Sequence, residues 1–295
     1  MSEKVTIATL RQYKQQGQPI AMLTAYDHAV AVLVQQGGVD GILVGDSLAQ
    51  LVLGHSATIN ATMDIMITLT AAVRRGAPDV YLVGDMPFLS YQVSVESALV
   101  NAGRFLTEAG CDCVKLELHS NQLDLVGRLS DAGIPVMAHL GLRPQQIRQM
   151  GRLRAQAQTA ETAGDLVRDV ADMVQAGACA ILLECVPAEV AGAITQRTEV
   201  PVLSCGSGPE CDGQLLVLHD VLGLPGAGAT RFAKNYAPIG DQTRAAVTQY
   251  VEEVRQGRYP DAEHSYHIKS AERQRFEQQM NELHINEQRT KKPSQ

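Results

Sequence analysis

The chain has 295 residues and a net charge of −7, and 45% of its residues are hydrophobic while only 4% are aromatic. This length is ordinary for one α/β barrel, and the hydrophobic fraction suffices for a large core of aliphatic side chains. The acidic balance argues against nucleic-acid binding, which needs clustered Lys and Arg.

No apolar run is long enough to cross a bilayer, and the first ten residues lack the apolar core of a signal peptide. We therefore expect a cytoplasmic protein. None of the six cysteines forms a Cys-x-x-Cys pair, which argues against a zinc knuckle. We expect these cysteines to be reduced thiols that serve in packing.

Eight short apolar runs alternate with longer amphipathic segments along the chain. The runs cover residues 20–23, 41–44, 80–83, 113–118, 135–138, 180–183, 201–203 and 215–218. Each run is continuously apolar or rich in β-branched residues, as expected for a parallel strand buried on both faces. Residues 94–109 and 163–176 place apolar side chains on one stripe and are predicted helices.

Eight such alternations predict a single α/β domain with the fold of a (β/α)8 TIM barrel. An open doubly wound sheet is the alternative, although its Gly-x-Gly-x-x-Gly turn is missing after the first strand. We predict a catalytic barrel domain over residues 1–267 and a polar tail over residues 268–295. In the tail, residues 269–283 are predicted to be helical and residues 287–295 to be disordered.

Charged side chains stand at the ends of five consecutive predicted strands, where the catalytic groups of a barrel are found. They are Asp46, Asp85, Lys115 with Glu117, His139 and Glu184. One such charge often only caps a helix or faces solvent, but five in succession predict a cluster at one rim. Lys115 and Glu117 are two residues apart, so they share the strand face that points into the barrel mouth.

The carboxylates Asp46, Asp85 and Glu117 predict a site for a hard cation such as Mg²⁺. Such an ion can chelate a 2-oxo acid through its carboxylate and keto oxygens, which makes the neighbouring C–H acidic. Glu184 comes from a different strand and is the candidate base for that proton.

Lys115 and His139 are candidates for binding the oxygens of the substrate. Lys115 has a rival role as the nucleophile of a Schiff base, as in metal-free aldolases. The alternative for His139 is a core histidine that is bonded to the backbone.

Longer sequence motifs coincide with these strand ends. They include Val44-Gly45-Asp46-Ser47-Leu48, Asp85-Met86-Pro87-Phe88, Val114-Lys115-Leu116-Glu117, His139-Leu140-Gly141-Leu142-Arg143-Pro144, Leu183-Glu184-Cys185-Val186-Pro187, His219-Asp220 and Phe232-Ala233-Lys234-Asn235-Tyr236. In this order, and with others between about residues 5 and 267, they resemble the ketopantoate hydroxymethyltransferase family of pantothenate biosynthesis.

The resemblance implies a homo-oligomer, commonly a decamer, with a (β/α)8 barrel in each subunit. It also implies Mg²⁺-dependent transfer of a hydroxymethyl group from 5,10-methylenetetrahydrofolate to 3-methyl-2-oxobutanoate, which gives 2-dehydropantoate. Asp46 and Asp85 correspond to metal ligands, Glu117 to a metal-site carboxylate, and Glu184 to the base that removes the C3 proton. The positions implied to contact substrate are Ser47, Asp85, Lys115 and His139.

The loops around the predicted barrel mouth depart from the family pattern more than the strand ends do. Ala49 replaces a family glycine, residues 151–157 lack a family aromatic, and the glycine-rich end of strand seven contains Cys205 and Ser207. Loops over a barrel mouth select the substrate. A paralogue with another 2-oxo acid or one-carbon donor, a carbon–carbon lyase resembling phosphoenolpyruvate mutase or isocitrate lyase, and a non-catalytic binding barrel therefore stay open.

Overall fold

The structure is a computed structural model, and it describes residues 3–151, 154–226 and 230–290. Eight parallel strands pair in chain order, and the last pairs with the first, so the sheet is a closed barrel. The strands are β1 (Ile20–Thr24), β2 (Gly41–Val44), β3 (Tyr81–Asp85), β4 (Cys113–Glu117), β5 (Val136–Gly141), β6 (Ala180–Glu184), β7 (Val202–Cys205) and β8 (Gly213–Leu216). The predicted TIM barrel is confirmed, and the open sheet is wrong.

Helices precede, connect and follow these strands in the chain. They are α1 (Ile7–Gln16), α2 (His28–Gln36), α3 (Leu48–Leu51), α4 (Met63–Gly76), α5 (Val95–Thr107), α6 (Leu123–Asp131), α7 (Ile147–Met150), α8 (Ala160–Gln175), α9 (Ala188–Arg197), α10 (Leu218–Leu222), α11 (Ile239–Arg255) and α12 (Ser270–Thr290). The two helices predicted from their apolar stripes are α5 and α8. Each begins with a capping box, at Ser94 and Thr159, which gives hydrogen-bond partners to backbone groups of the first turn.

The last strand differs from its predicted position. All eight apolar runs overlap their strands, but β8 begins two residues before the predicted run and ends two residues before its end. A Cβ atom added to Gly213 would lie 2.2 Å from the carbonyl oxygen of Ile20, so this strand start needs glycine to approach β1. Gly213 and the exposed Gln214 are not large apolar residues. The apolar run in the sequence therefore begins two residues after the strand itself.

The strict alternation of strand and helix fails between β7 and β8. Residues 206–212 connect these two strands through bends and turns without a helix. Every other connection between consecutive strands contains an α-helix. The barrel rim is therefore formed differently on the β7–β8 side.

The barrel interior is filled below its mouth by apolar side chains. This interior cluster comprises Leu10, Ile20, Met22, Leu43, Tyr81, Val83, Cys113, Met137, Cys179, Ala180, Leu182, Leu203, Cys205 and Leu215. On β4, Cys113 belongs to the interior cluster while Val114 and Leu116 belong to the layer between strands and helices. The alternation predicted for Lys115 and Glu117 is thereby confirmed, because strand side chains alternate between two faces.

The chain divides into two compact units, Met1–Gly240 and Asp241–Gln295. The barrel lies in the first unit, and α12 in the second contains the predicted tail helix. The division into a catalytic domain and a tail at residue 267 stays a prediction. The helix α12 continues to Thr290, the disorder predicted from residue 287 stays a prediction, and residues 291–295 lie outside the described part.

Oppositely charged pairs explain why α12 forms despite its polar composition. Arg273 lies 2.9 Å from Glu277, four residues along the helix, and Arg275 lies 3.1 Å from Glu272, three residues away. Such pairs lie on one helix face and each adds a few tenths of a kcal/mol. None of the helices in the described ranges is long and apolar enough to cross a membrane.

Gly84 allows α5 to pack against β3 immediately before Asp85. A Cβ atom added there would lie 2.3 Å from Cδ1 of Phe105 and 2.8 Å from Sγ of Cys111. We predict that Gly84→Ala lowers the free energy of unfolding by about 1–3 kcal/mol, because overpacking displaces its neighbours. Urea unfolding measures this change.

The matched control is Gly103→Ala within α5. A Cβ atom there meets nothing within 4 Å, so the substitution should preserve stability or raise it by up to about 1 kcal/mol. Equal losses for the two variants would contradict the packing argument.

Candidate active site

The carboxyl ends of the strands surround a cavity of about 320 Å³. All the site residues predicted from the sequence line it. They are Asp46, Ser47, Asp85, Lys115, Glu117, His139 and Glu184. The structure therefore brings the whole predicted set to one place.

Two buried aspartates form one wall of the cavity. Asp46 follows β2, and its backbone N–H donates a hydrogen bond to Oδ2 of Asp85 at 2.9 Å. Oδ1 of Asp85, at the end of β3, lies 2.7 Å from Nζ of Lys115. Burial raises the pKa of Asp85 to about 7, since it outweighs the opposing effect of Lys115, and the negative charge of Asp46 adds to the rise. Additional positive charge beside these carboxylates is therefore favourable.

Lys115 provides the positive charge that this wall contains. Burial alone lowers the pKa of its amine, but Asp85, Glu117 and Asp46 together raise it above its ordinary value. The side chain is therefore an ammonium ion. A Schiff base needs the free amine as nucleophile, so this environment disfavours that alternative role.

His139 connects Lys115 with Glu184. Its Nδ1 lies 3.3 Å from Nζ of Lys115, and its Nε2 lies 3.1 Å from Oε2 of Glu184. Burial and the charge of Lys115 lower the pKa of His139, so the ring is neutral. Because an ammonium group can only donate, Nδ1 is the acceptor and the ring proton lies on Nε2. That N–H is buried and has no aligned acceptor in the described ranges, so Glu184 is its neighbour at 3.1 Å without a hydrogen bond of good geometry. These contacts are with site side chains, unlike those of a core histidine bonded to backbone.

Ser47 lies at the start of α3 beside the aspartates. Its Oγ lies 2.8 Å from the hydroxyl oxygen of Tyr26, within hydrogen-bonding distance. Burial raises the pKa of Tyr26 to about 12, so its hydroxyl stays protonated at neutral pH. The Ser47 hydroxyl is thus held toward the cavity by a neutral partner.

Gln145 is a buried site residue that the sequence interpretation missed. It lies in the short 3-10 turn Pro144–Gln146 after β5. Its Nε2 donates to Oδ2 of Asp46 and to the carbonyl oxygen of Met86, each at 3.0 Å. Its backbone N–H donates to Oε2 of Glu117 at 3.1 Å.

The other end of the Gln145 amide is also bonded. Its Oε1 accepts a hydrogen bond of 3.0 Å from the hydroxyl of the buried Tyr91. The sequence pattern does not single out Gln145, because this residue is neutral and follows β5 by several residues. The adjacent Pro144, which favours a turn, was the available signal.

The pair of Asp46 and Asp85 suits a hard cation, because buried carboxylate oxygens are ligands that Mg²⁺ prefers. Oδ1 of Asp85 is inaccessible to solvent and has no aligned hydrogen-bond donor in the described ranges, despite its ion pair with Lys115. Glu117 is instead engaged by Gln145. No three His, Cys, Asp or Glu side chains among the described residues converge as a ready-made metal site. The three-carboxylate ligand set stays a prediction.

Removal of the Gln145 amide would leave several buried groups without partners. We predict that Gln145→Leu lowers the free energy of unfolding by about 1–3 kcal/mol, because Asp46 and Tyr91 lose their bonds to it. Urea unfolding measures the loss, with Gln149→Leu on the exposed face of α7 as control. Wild-type stability in Gln145→Leu would show that this network does not form.

Several solved enzyme structures have a similar fold at low sequence identity. One is phosphonopyruvate hydrolase in complex with oxalate and Mg²⁺, with a TM-score of 0.58 and 14% identity over 95% of this chain and 98% of that chain. Another is 2,3-dimethylmalate lyase, with a TM-score of 0.56 and 13% identity over 100% of both chains. These similarities show a shared barrel fold.

Sequence identity is much higher to a different group of enzymes than to these structures. Residues 4–262 match the family model described as ketopantoate hydroxymethyltransferase. The chain is 47% identical to 3-methyl-2-oxobutanoate hydroxymethyltransferase of Moorella thermoacetica over 263 residues, which cover 89% of this chain and 98% of that protein. Identity to the enzyme of the same name from Syntrophus aciditrophicus is 45% over 263 residues, or 89% and 97% of the two chains. With its strand-end motifs gathered around one cavity, this chain is therefore an enzyme of the ketopantoate hydroxymethyltransferase family.

Proposed function

We propose that the enzyme transfers a hydroxymethyl group from 5,10-methylenetetrahydrofolate to 3-methyl-2-oxobutanoate and gives 2-dehydropantoate, a step of pantothenate biosynthesis. The observation that carries this proposal is one cavity that combines a buried Asp46–Asp85 pair with a carboxylate, Glu184, that lies 3.1 Å from His139. The names of the relatives support the choice of acceptor and transferred group.

Asp46 and Asp85 are the residues that would hold Mg²⁺, with Glu117 as the third carboxylate beside them. When bound, the ion would supply a Lewis acid for the carboxylate and keto oxygens of the acceptor. Lys115 adds a fixed positive charge next to the same wall, and Ser47 adds a hydroxyl. Both groups would bind and orient the acceptor oxygens, together with His139.

Glu184 is the base that we propose for the C3 proton of the acceptor. Its carbonyl oxygen accepts a hydrogen bond from the backbone N–H of Leu142 at 2.8 Å, which fixes the end of β6 against β5. Its carboxylate is partly accessible from the cavity and lies next to the neutral ring of His139. A base in this position would remove the C3 proton within hydrogen-bonding reach. C3 would then bond to the methylene carbon of the folate as one of its C–N bonds breaks. Water would supply the hydroxyl oxygen as the second C–N bond breaks and tetrahydrofolate leaves.

We also propose that the enzyme is a cytoplasmic homo-oligomer, as the family resemblance implies. Large apolar side chains exposed on the first compact unit support an assembly. They include Leu33, Leu89, Val93 and Val100.

Proton exchange at C3 of 3-methyl-2-oxobutanoate tests the first chemical step without folate. We predict that the protein with Mg²⁺ in D₂O exchanges this proton, followed by NMR, and that Glu184→Gln slows exchange at least ~100-fold, the usual effect of a general base. The control is Glu189→Gln, which removes an exposed carboxylate from the first turn of α9. Unchanged exchange in Glu184→Gln would reject this base. No exchange in the wild type would redirect the search to other 2-oxo acids.

Metal dependence is tested by binding as well as by exchange. We predict that a chelator abolishes C3 exchange and that added Mg²⁺ restores it, because the acidity of C3 depends on the Lewis acid. Calorimetry should show that Asp46→Asn and Asp85→Asn each weaken Mg²⁺ binding at least ~10-fold, since each loses a charged ligand. Asp131→Asn, at the exposed end of α6, is the control. Exchange that persists without metal would contradict the proposal.

A further inference from the structure

The cavity has a second polar region on the side of the barrel that lacks the charged cluster. Asp46 to Glu184 occupy the ends of β2 to β6, so β7, β8 and β1 form the remaining part of the rim. Asp220, Thr230 and Phe232 line the same cavity. Asp220 lies in the first turn of α10, directly after β8.

Polar atoms in this region are buried without partners. Oδ1 of Asp220 and Oγ1 of Thr230 are inaccessible to solvent and have no hydrogen-bond partner within the described part of the chain. The backbone N–H groups of this helical turn therefore do not donate a hydrogen bond to Oδ1 of Asp220. Burial raises the pKa of Asp220, as expected when a charge loses its water. Unpaired buried groups are costly, so a ligand that donates hydrogen bonds here would bind favourably.

Phe232 provides a flat apolar surface next to these groups. A Cβ atom added to Gly206 would lie 2.5 Å from Cδ1 of Phe232, so the ring lies directly over the backbone that follows β7. The residue is 36% exposed and borders the cavity. A planar ligand ring can pack against such a surface, which gives apolar contact and a defined orientation.

The position of this surface suits a second reactant. Glu184 is the register partner of Cys205, and Gly206 follows Cys205, so Phe232 lies one strand away from the proposed base. A ligand ring packed on the exposed side of Phe232 would therefore lie near the C3 atom that Glu184 would deprotonate. The charged residues from Asp46 to Glu184 lie on the other side of the cavity, so the side with Phe232 is available to the one-carbon donor.

We propose that Asp220, Thr230 and Phe232 form the subsite for the heteroaromatic ring of the one-carbon donor. This inference rests on the proposed function. The ring of a reduced folate carries a ring N–H next to an exocyclic amino group. The Asp220 carboxylate, turned so that Oδ1 as well as Oδ2 faces the cavity, accepts two parallel hydrogen bonds from this pair, as carboxylates do from planar forked donors. Thr230 bonds the ring edge, and Phe232 packs against its face.

Binding of a stable reduced folate, 5-formyltetrahydrofolate, tests the subsite. The measurement is calorimetry on the full chain with Mg²⁺ and 3-methyl-2-oxobutanoate present. We expect Asp220→Asn to weaken folate binding by about 10- to 100-fold, because a charge-assisted pair of hydrogen bonds is lost. Asp131→Asn removes the same charge from the outer surface and should retain wild-type affinity.

A ligand lacking the exocyclic amino group separates a direct contact from a general effect of charge. The wild type should bind this 2-deamino analogue more weakly than the parent folate, and Asp220→Asn should then cause less than about a twofold further loss. Phe232→Leu should weaken both ligands by a similar factor, because ring packing does not depend on the amino group. Equal losses of both ligands in Asp220→Asn would overturn the proposed contact.

The outcome also distinguishes this subsite from the proposed function. C3 exchange requires no folate, so wild-type exchange together with unchanged folate affinity in Asp220→Asn rejects the subsite and retains the chemistry. A wild type that binds no reduced folate rejects both the subsite and the proposed donor. Thermal unfolding of each variant verifies that it folds. If Asp220→Asn does not fold, the folate affinities of Phe232→Leu and Thr230→Val test the subsite instead. Wild-type affinity in both of these variants would overturn the proposal.

Discussion

The ion pair between Lys115 and Asp85 is the interaction on which the geometry of the barrel mouth depends. Both charges are buried, and taking each from water costs several kcal/mol unless the other is present. The paired ammonium then donates to His139, which fixes the tautomer of that ring. Nε2 of His139 lies 3.1 Å from Glu184, so contacts connect a charge on β4 with a carboxylate on β6.

The neutral side chain of Gln145 both donates and accepts hydrogen bonds at this site, which a charged side chain could not do. The Gln145 amide donates to Asp46 and accepts from Tyr91, while its backbone donates to Glu117. A carboxylate in its place could not donate, and an ammonium could not accept. Gln145 therefore connects Asp46 after β2, Glu117 on β4 and Tyr91 before α5. Partners of this kind hold metal-binding carboxylates in position before the ion arrives.

The sequence predicted those features that depend on short-range patterns. Apolar runs and the turn from strand to helix predicted the barrel, and the period of two predicted that Lys115 and Glu117 face inward. Gln145 and the start of β8 at Gly213 depend instead on contacts between distant segments. Gly213 approaches Ile20, nearly two hundred residues earlier in the chain, and no local pattern encodes that approach. Likewise, the contacts of Asp46 and Glu117 with Gln145 follow from the path of the loop after β5, which carries no periodic signal.

The short connection between β7 and β8 has a consequence for how this scaffold can diversify. Residues 206–212 span the two strands without a helix of their own. They nevertheless contact the outer helices, because a Cβ atom added to Gly208 would lie 2.4 Å from Cβ of Ala188 in α9, and Asp212 lies 2.7 Å from Lys14 in α1. Substitutions at positions of this connection that do not contact α1 or α9 would alter the adjoining wall of the cavity without disturbing helix packing. The charged groups on β2 to β6 are held by their own contacts. Recognition of one reactant can therefore change in evolution or by design while the groups that bind and deprotonate the other stay fixed.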